Sequence, residues 1–402
     1  MSVTAEADLR ERITQAVDRF GTPLWVLDAA RVAENLLPWQ RAVADPGADV
    51  FYSVKANPAP ALLELVVESG LGLDAASAFD VVAAHRAGVS PDRVTFCSKA
   101  PGADDLEAAL ECGTVVAGNA DQLALWASVG RRRLGLRINP GVSAGFHDHV
   151  RTGPAGRRFG EPIDGAADAI GRARQDGLTI DGLHCHLGSD ILETSPHLRV
   201  ADQLLALATA VGGIEWINLG RGYGVAFPGE TGVYDVDALV AQATERAAAS
   251  PGAPQVRFEP GTHISRDAGW LVTRVTTSVA TDEIAMLECD ASVNHLPGAL
   301  LYGTQHPVVV VASEASAGDE YRSTLVSGNL MQPGDVLATA ARLPRLASGD
   351  LIAFGLAGAY TSVRSTTFNG RPLPAEVWLD GPEPRLVRSR RTAEELLTET
   401  YR

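Results

Sequence analysis

The sequence predicts an α/β protein with two parts, a (β/α)8 TIM-like barrel followed by an antiparallel β domain. Its 402 residues exceed the roughly 250 of a typical barrel by enough for a second domain. From about residue 24 to 265, short apolar runs alternate with Ala- and Leu-rich helical patterns, and from about residue 266 strand patterns follow one another with little helix between them. We therefore expect a barrel at 28–265 and a β-rich domain at 266–402, preceded by a segment at 1–27.

The elements can be assigned in chain order. The first segment, "MSVTAEADLRERITQAVDRFG", has an amphipathic helix pattern, and the last, "RTAEELLTETYR", is also helix-like. The candidate strands of the first part, eight of which can close a barrel, are "PLWVLD", "VFYSVKA", "GLGLDAAS", "RVTFCS", "TVVAGN", "LGLRINP", "IDGLHCHLG", "EWINLG" and "VRFEPG". Those of the second part are "LVTRVTTSVA", "IAMLECD", "HPVVVVAS", "LIAFGLAG" and "AEVWLDG". In such a barrel the chemistry lies at the C-terminal ends of the strands.

Composition narrows the class of partner. The formal charge of −15 argues against nucleic acid and anionic membranes, which bind mainly through Lys and Arg clusters. The four cysteines are widely spaced without a Cys-x-x-Cys pair, which indicates reduced thiols rather than a disulfide framework or a zinc ribbon. No stretch reaches membrane-spanning length, and the N-terminus lacks a signal-peptide pattern. These features predict a cytoplasmic protein that acts on small molecules.

Lys55 is the first unexpected polar residue. It lies near the end of the apolar stretch "FYSVKANP", where removal from water lowers the pKa of an amine and makes it nucleophilic. The alternative is a lysine that extends its amine to solvent at the barrel rim.

The stretch "HCHLGSD" places His184 and His186 two residues apart. A zinc site would need a third ligand, and "GFHDHV" is the other histidine-rich stretch. His186 fits better as an aromatic platform beside a phosphate-binding turn that contains Gly188 and Ser189.

Two further strand ends carry candidate residues. In "NLGRGYG", residues 218–224, glycines allow backbone N–H groups to approach an anion such as a cofactor phosphate. In "RFEPG", residues 257–261, a buried Glu259 would need a cationic partner, which a protonated ring nitrogen would supply. A surface loop acid is the alternative.

An amine, an imidazole, a phosphate-binding turn and a carboxylate at the strand ends of one barrel are the groups that hold pyridoxal 5′-phosphate. Lys55 would form the Schiff base, and Glu259 would keep the pyridine nitrogen protonated. We therefore predict this cofactor, and no metal.

The order of these motifs resembles the fold-type III pyridoxal-phosphate decarboxylases, most closely the diaminopimelate decarboxylases and more distantly the ornithine decarboxylases. The resemblance runs from "FGTPLWVLD" to "GAYTSVRSTTFNG" and includes "YSVKAN", "LRINPGV" with "TGPAGRRFG", "HCHLGS", "NLGRGYG" and "EPGT". It implies an alanine-racemase-like barrel, a β domain partly completed by residues 1–27, and a homodimer with active sites at the subunit interface. Cofactor contacts are implied for Lys55, His186, Ser189, Gly220, Arg221, Gly222, Glu259, Gly261, Thr262 and Tyr360.

The chain also departs from the family at positions that touch substrate. The family usually has Cys followed by an acidic residue, contributed across the dimer interface, where this chain has Met331 and Gln332. A thioether cannot donate the proton that the family's thiol is implicated in supplying. The arginine that diaminopimelate decarboxylases use for the distal carboxylate aligns with Gly298, in a stretch that ends at Tyr302.

Arg221 replaces the middle glycine of the phosphate turn, whereas Thr262 replaces the arginine of Glu-Pro-Gly-Arg. This exchange places the positive charge on the glycine turn instead of the Glu-Pro-Gly loop. We count Gly298, Tyr302, Gln332 and Tyr360 as candidate substrate residues, and Lys55, His186, Glu259 and Met331 as candidate catalytic residues.

The retained cofactor set and altered substrate loop predict a decarboxylase that removes the α-carboxylate of an amino acid, or of a conjugate that a carrier protein could hold. Three alternatives remain open: diaminopimelate decarboxylation itself, racemisation or other carbanion chemistry permitted by Met331, and a catalytically inactive cofactor carrier or partner subunit. A zinc hydrolase built on His184 and His186 is a further, weaker alternative.

Overall fold

The computed structural model describes residues 3–142, 159–280, 285–313 and 320–401. The chain divides into two compact units. The barrel unit consists of Ala33–Ala226 and Thr231–Ile264, and the β unit consists of Met1–Val32, Phe227–Glu230 and Ser265–Arg402.

The described strands are β1 (Leu24–Asp28), β2 (Ala48–Ser53), β3 (Gly72–Ala75), β4 (Val94–Phe96), β5 (Thr114–Ala117), β6 (Arg133–Asn139), β7 (Glu161–Pro162), β8 (Thr179–His184), β9 (Trp216–Asn218), β10 (Gln255–Phe258), β11 (Gly269–Ala280), β12 (Ala285–Cys289), β13 (Val308–Ala312), β14 (Arg322–Ser327), β15 (Val336–Leu343), β16 (Leu351–Phe354), β17 (Ala375–Leu379) and β18 (Arg385–Arg388). The described helices are α1 (Val3–Phe20), α2 (Ala29–Val43), α3 (Pro60–Glu68), α4 (Ala78–Arg86), α5 (Ala103–Ala109), α6 (Ala120–Ser128), α7 (Ile163–Gln175), α8 (Ser195–Val211), α9 (Val236–Ala248), α10 (Thr262–Ser265), α11 (Pro297–Tyr302) and α12 (Ala393–Thr400).

The barrel unit is a closed parallel barrel, as predicted. Its strands follow the order β5-β4-β3-β2-β10-β9-β8-β6, and pairing of β5 with β6 closes the ring. All eight ring pairings are parallel. Helices connect most of these strands, and several begin with a side-chain cap such as Ser77 of α4, Asn119 of α6 and Asp235 of α9. Closure brings the C-terminal ends of all eight strands to one face.

Trp216 fills one layer of the barrel. In register across the ring, Gly135 of β6 pairs with Gly182 of β8, which pairs with Trp216 of β9. A Cβ at either glycine would overlap the Trp216 indole, so the two glycines leave the space that the ring occupies. Arg257 of β10 stacks on this indole, with 4.4 Å between its guanidinium carbon and the ring centroid.

The β unit contains the predicted antiparallel sheet, which also includes two parallel pairings. Most of its pairings are antiparallel, but β1 is parallel to β17 and β12 is parallel to β14. The strand predicted from "PLWVLD" is β1, which pairs with β11 and β17 in this sheet and is not one of the eight barrel strands. Leu9, Ile13 and Val17 of α1 pack in the same core cluster as β1, so the N-terminal segment is part of the β unit.

Cys97, Cys112, Cys185 and Cys289 are all buried and unbonded to one another. Burial raises the pKa of the thiols of Cys112, Cys185 and Cys289 to about 12, and it also raises the pKa of Cys97. Among the helices of the described ranges, none has the length and apolar character needed to cross a membrane.

Candidate active site

The barrel topology brings four sequence motifs to one face. Lys55 lies in a 3-10 turn, Val54–Ala56, directly after β2. His186 follows β8, the Gly220–Gly222 turn follows β9, and Glu259 follows β10. Because β8, β9, β10 and β2 are consecutive neighbours in the ring, these residues occupy adjacent strand ends.

Lys55 is less exposed than a rim lysine would be. Its neighbours Val54 and Ala56 are fully buried, and its own side chain is half-buried. Burial of the amine, reinforced by the nearby positive charge of Arg221, lowers the pKa of Lys55 to about 8. An appreciable fraction of the amine is therefore unprotonated near neutral pH, as a nucleophile requires.

Glu259 is a buried carboxylate with partners on both oxygens. His184 Nε2 donates to its Oε2 at 3.1 Å, and Asn218 Nδ2 donates to its Oε1 at 2.8 Å. Arg221 Nη1 lies 3.4 Å from Oε2. Burial opposes ionisation, but the interactions with His184 and Arg221, together with the hydrogen bond from Asn218, prevail and lower the pKa of Glu259 to about 2. The surface-acid alternative is wrong, since only 1% of this residue is exposed.

Close backbone contacts hold the lysine and the carboxylate segments together. The amide of Ser53 donates to the carbonyl of Pro260 at 2.9 Å. A Cβ at Gly261 would lie 2.9 Å from the Cβ of Ala56, which is closer than side chains pack. Glycine at 261 therefore allows the Glu259 segment to lie against the Lys55 turn.

The glycine turn after β9 is also shaped by close approach. Gly220 and Gly222 both have positive φ, at +66° and +117°. A Cβ on Gly220 would overlap the carbonyl of Cys185, and one on Gly222 would press on the carbonyl of Gly188. The turn after β9 thus packs closely on the turn after β8.

Two imidazoles hold the same carbonyl of this turn. His186 Nδ1 and His197 Nε2 each donate to the carbonyl oxygen of Arg221 at 3.3 Å. Tyr234 donates to His197 Nδ1 at 2.8 Å. Burial keeps both imidazoles neutral by lowering the pKa of His197 to about 4 and that of His186 well below its ordinary value. The two neighbouring histidines of the sequence motif therefore have different contacts. His184 binds Glu259, whereas His186 lies beyond the end of β8.

Arg221 points into the barrel. Its guanidinium Nη1 forms an ion pair with Asp74 Oδ2 and lies 3.4 Å from Ser53 Oγ. Asp74 is buried on β3, and burial raises the pKa of its carboxyl to about 7 even beside Arg221. Sequence reasoning missed Asp74, although an acid inside the apolar strand pattern "GLGLDA" was the available signal.

The remaining cofactor residues are placed around these turns. Thr262 is buried at the start of α10, next to Gly261. Ser189 lies in the loop after β8 and precedes Asp190, which has a positive φ of 58°. Their predicted phosphate contacts stay predictions.

The candidate substrate residues belong to the β unit. Gly298 and Tyr302 lie on α11, and Arg364 Nη1 donates to the Tyr302 hydroxyl at 3.0 Å. The Arg364 guanidinium carbon also lies 5.1 Å from the ring centroid of Tyr360, which has a positive φ of 56°. Met331 is 93% exposed, and the neighbouring Gln332 is partly exposed. Sequence reasoning did not single out Arg364.

These residues fit pyridoxal 5′-phosphate. The site combines an amine of lowered pKa, a buried carboxylate at the end of the neighbouring strand of the ring, and a turn that contains two glycines of positive φ. Lys55 would hold the aldehyde end, Glu259 the ring nitrogen, His186 the ring face and the Gly220–Gly222 turn the phosphate. The stretch "GFHDHV" and most of "TGPAGRRFG" lie outside the described residues. Within the described residues, no group of three His, Cys, Asp or Glu side chains is arranged to hold a metal ion.

Such a barrel and site define the class of pyridoxal-phosphate lyases with an alanine-racemase-like fold. Residues 29–266 match the family model described as the pyridoxal binding domain of pyridoxal-dependent decarboxylases. The chain therefore belongs to the pyridoxal-dependent decarboxylase family, is a carboxy-lyase and uses pyridoxal phosphate.

Curated relatives and solved structures agree with this assignment over nearly the full chain. The chain is 32% identical to the diaminopimelate decarboxylase of Methanothermobacter thermautotrophicus over 400 residues, which cover 95% of this chain and 92% of that protein. It is 30% identical to the enzyme of the same name from Deinococcus radiodurans, with 96% and 98% covered. The Helicobacter pylori diaminopimelate decarboxylase complexed with L-lysine has the same fold, with a TM-score of 0.88 at 24% identity, covering 96% of this chain and 99% of that one. A Vibrio vulnificus lysine/ornithine decarboxylase complexed with putrescine is a more distant fold relative, with a TM-score of 0.79 at 22% identity and coverages of 92% and 98%.

Proposed function

We propose that this decarboxylase removes the α-carboxylate of an amino acid, or of a carrier-bound amino-acid conjugate, whose side chain differs from that of diaminopimelate. The observation that carries the proposal is the contrast between the cofactor residues, which this chain retains, and the substrate residues, which it alters. Lys55, His186 and Glu259 meet at adjacent strand ends with the ionisation that the cofactor needs. Gly298 and Met331 depart from the family where substrate is expected to bind.

The cofactor, when bound, supplies an electron sink for the pair of electrons that departing CO2 leaves at the α-carbon. The chain's own residues set the conditions for that step. Glu259 remains ionised and fixed by His184 and Asn218, and the neutral His186 presents an uncharged ring. The α-carbon must then receive a proton in place of the carboxylate, and the Met331 thioether has none to give.

The contacts around Tyr302 support a substrate side chain that accepts hydrogen bonds. Gly298 occupies the position on α11 where the family has an arginine. Arg364, from another part of the β unit, provides a guanidinium beside Tyr302 of this helix. A guanidinium next to a phenol hydroxyl suits a carboxylate or carbonyl oxygen. We therefore propose that Arg364 and Tyr302 bind the far end of the substrate.

The test is measurement of CO2 and amine from a panel that includes free meso-diaminopimelate, lysine, ornithine, acidic amino acids and an aminoacyl thioester on a carrier protein. We expect release from at least one substrate other than diaminopimelate, and none from Lys55→Ala. Arg364→Ala should raise KM by about tenfold or more with little change in kcat, since a charge-assisted hydrogen bond is lost. Efficient turnover of diaminopimelate alone would overturn the proposal and favour the activity named for the relatives.

We also propose a homodimer in which Met331 contributes to the partner's site. Met331 is 93% exposed, Leu300 and Leu301 on α11 are 51% and 55% exposed, and Phe368 is 53% exposed. The Met331 amide donates to Asn369, the neighbour of Phe368, at 3.1 Å. Exposed apolar side chains in one region of the β unit are typical of an interface.

Mixing two inactive variants tests the shared site. We expect Lys55→Ala and Met331→Arg each to be inactive, whereas mixed dimers contain one intact site formed by Lys55 of one chain and Met331 of the other. Random mixing should restore about a quarter of the wild-type activity, because half of the dimers are mixed and each has one intact site. No recovery, with mixed dimers demonstrated by mass, would show that each protomer completes its own site.

A further inference from the structure

We propose that Arg221 is a positioning residue that bridges Glu259, Asp74 and Ser53 and thereby keeps the Lys55 amine in its nucleophilic form. This inference rests on the proposed function, since it concerns the same site. The sequence alone suggested that Arg221 had taken over a phosphate-binding charge, but its side chain is directed toward the carboxylates inside the barrel.

The backbone of Arg221 is held rigidly. Its carbonyl accepts hydrogen bonds from His186 and His197, and it lies between Gly220 and Gly222, whose conformations are fixed by close contact with the preceding turn. The side chain therefore leaves the turn in one direction, toward the barrel interior.

The guanidinium contacts three strand ends. Nη1 forms the ion pair with Asp74 near the end of β3, lies 3.4 Å from Ser53 Oγ at the end of β2, and lies 3.4 Å from Glu259 Oε2 after β10. Arg221 is 5% exposed and Asp74 and Glu259 are each 1% exposed. A buried cation with two carboxylates is stable only as a unit, because removal of one member leaves an uncompensated charge.

This unit surrounds the lysine segment. Ser53 precedes Lys55 by two residues, and Ser53 Oγ also donates to Asp74 Oδ2 at 3.0 Å. Among the described residues, Asp74 Oδ1 is buried without a hydrogen-bond partner, so this carboxylate has capacity beyond Arg221. The charged and titratable groups that act on or are influenced by the Lys55 amine are Arg221, Asp74, Arg137, Glu259, Asp80 and His186.

The balance of these charges sets the protonation of Lys55. After burial, the positive charge of Arg221 is the largest influence that lowers the pKa of the amine, and Asp74 is the largest that raises it. Only an unprotonated amine has the electron pair that forms the new C–N bond at the cofactor aldehyde, whose oxygen leaves as water. Arg221 and Asp74 are thus expected to act in opposite directions on cofactor uptake.

The test is the pH dependence of cofactor uptake by full-length apoenzyme, followed through the visible absorbance that develops after addition of pyridoxal 5′-phosphate. Wild type should show a rate that rises through a midpoint near pH 8. Arg221→Met should shift the midpoint upward by about one unit, so that uptake at pH 7 is about tenfold slower while the rates converge at high pH. Arg221→Lys, which keeps the charge, should retain the wild-type profile.

Asp74→Asn provides the matched control and the second test. It should shift the midpoint downward and make uptake at pH 7 faster, a change that general damage to the fold would not produce. Superimposable profiles for wild type and Arg221→Met would overturn the proposal, as would an Asp74→Asn midpoint that is unchanged or higher. If Arg221→Met does not fold, as judged by circular dichroism, Asp74→Asn alone decides. Release of CO2 by wild type tests the proposed function separately, since it needs no variant.

Discussion

At the scale of single residues, Met331 is the position whose side chain is least suited to the proton transfer that decarboxylation requires. Its side chain is almost fully exposed on the β unit, so packing within the chain does not explain a methionine there. Its thioether is an acceptor only and has no ionisable proton. A decarboxylase with methionine here must obtain the α-carbon proton from another group or from water.

Met331→Cys tests this position directly. A thiol would supply a general acid, and such groups typically contribute 10²–10⁴-fold to rate. We expect the turnover to amine and CO2 to rise by about tenfold or more, as measured by mass spectrometry of the amine product. Met331→Ala, which removes the thioether without adding a thiol, is the control. An unchanged product distribution for the Cys variant would show that residue 331 does not direct protonation.

The site shows which residue properties can be predicted from sequence. Lys55 and Glu259 were detectable because a charged residue interrupts an apolar strand pattern. Their partners were not, because the contacts of Glu259 with His184 and Asn218 join strands that are far apart in the chain. Nor could the direction of Arg221 be predicted, since a glycine turn does not determine where its one large side chain points.

At the scale of elements, the barrel depends on glycines that face a large ring. Gly182 on β8 and Gly135 on β6 leave room for the Trp216 indole, which is 3% exposed. An indole in a closed ring of strands has little freedom to move, since protein interiors are close-packed. The local β-propensity of glycine is poor, so packing against Trp216 explains its presence in these strands.

Gly182→Ala should destabilise the protein by about 3 kcal/mol, because the added methyl overlaps the indole and overpacking costs about 1–3 kcal/mol. Chemical denaturation followed by circular dichroism measures this change. Gly171→Ala is a suitable control, since Gly171 lies inside α7 and a Cβ there meets nothing within 4 Å. That variant should be neutral or stabilised by up to about 1 kcal/mol. Equal effects of the two substitutions would contradict the packing argument.

The apolar patterns predicted where strands form, but they did not predict which sheet each strand joins. The eight barrel strands coincide with apolar runs named from the sequence, whereas "PLWVLD" has the same pattern but pairs with β11 and β17. A short apolar strand carries no local mark of the sheet it joins. The parallel pairing of β12 with β14 likewise depends on chain path rather than on residue pattern.

At the scale of the whole molecule, the free energy of unfolding at acidic pH depends on buried groups whose titrations act in opposite directions. Burial lowers the pKa of His197, His295 and His306 to about 4. Unfolded histidine binds its proton near pH 6.5, so these residues favour folding fully above pH 6.5 and lose that contribution as the pH falls to about 4. Asp74, with a pKa raised to about 7, acts in the opposite sense, because the folded state then binds the extra proton.

His306→Gln separates one contribution from this sum. His306 Nδ1 donates to the carbonyl of Gly355 at 2.8 Å, and a glutamine amide can make the same bond without titrating. Thermal unfolding of both proteins from pH 7 to pH 4 should show the stability advantage of wild type over the variant decreasing by up to about 3 kcal/mol. A constant difference across this range would mean that His306 does not titrate as described.

The burial of all four thiols has a practical consequence for labelling. Because Cys97, Cys112, Cys185 and Cys289 are enclosed and resist ionisation, folded protein should react slowly with maleimides at neutral pH. The cysteine of the Met331→Cys variant would then be the one readily modified thiol, at a position 93% exposed in the single chain. A fluorophore attached there would report directly on whether this surface becomes covered when two chains associate.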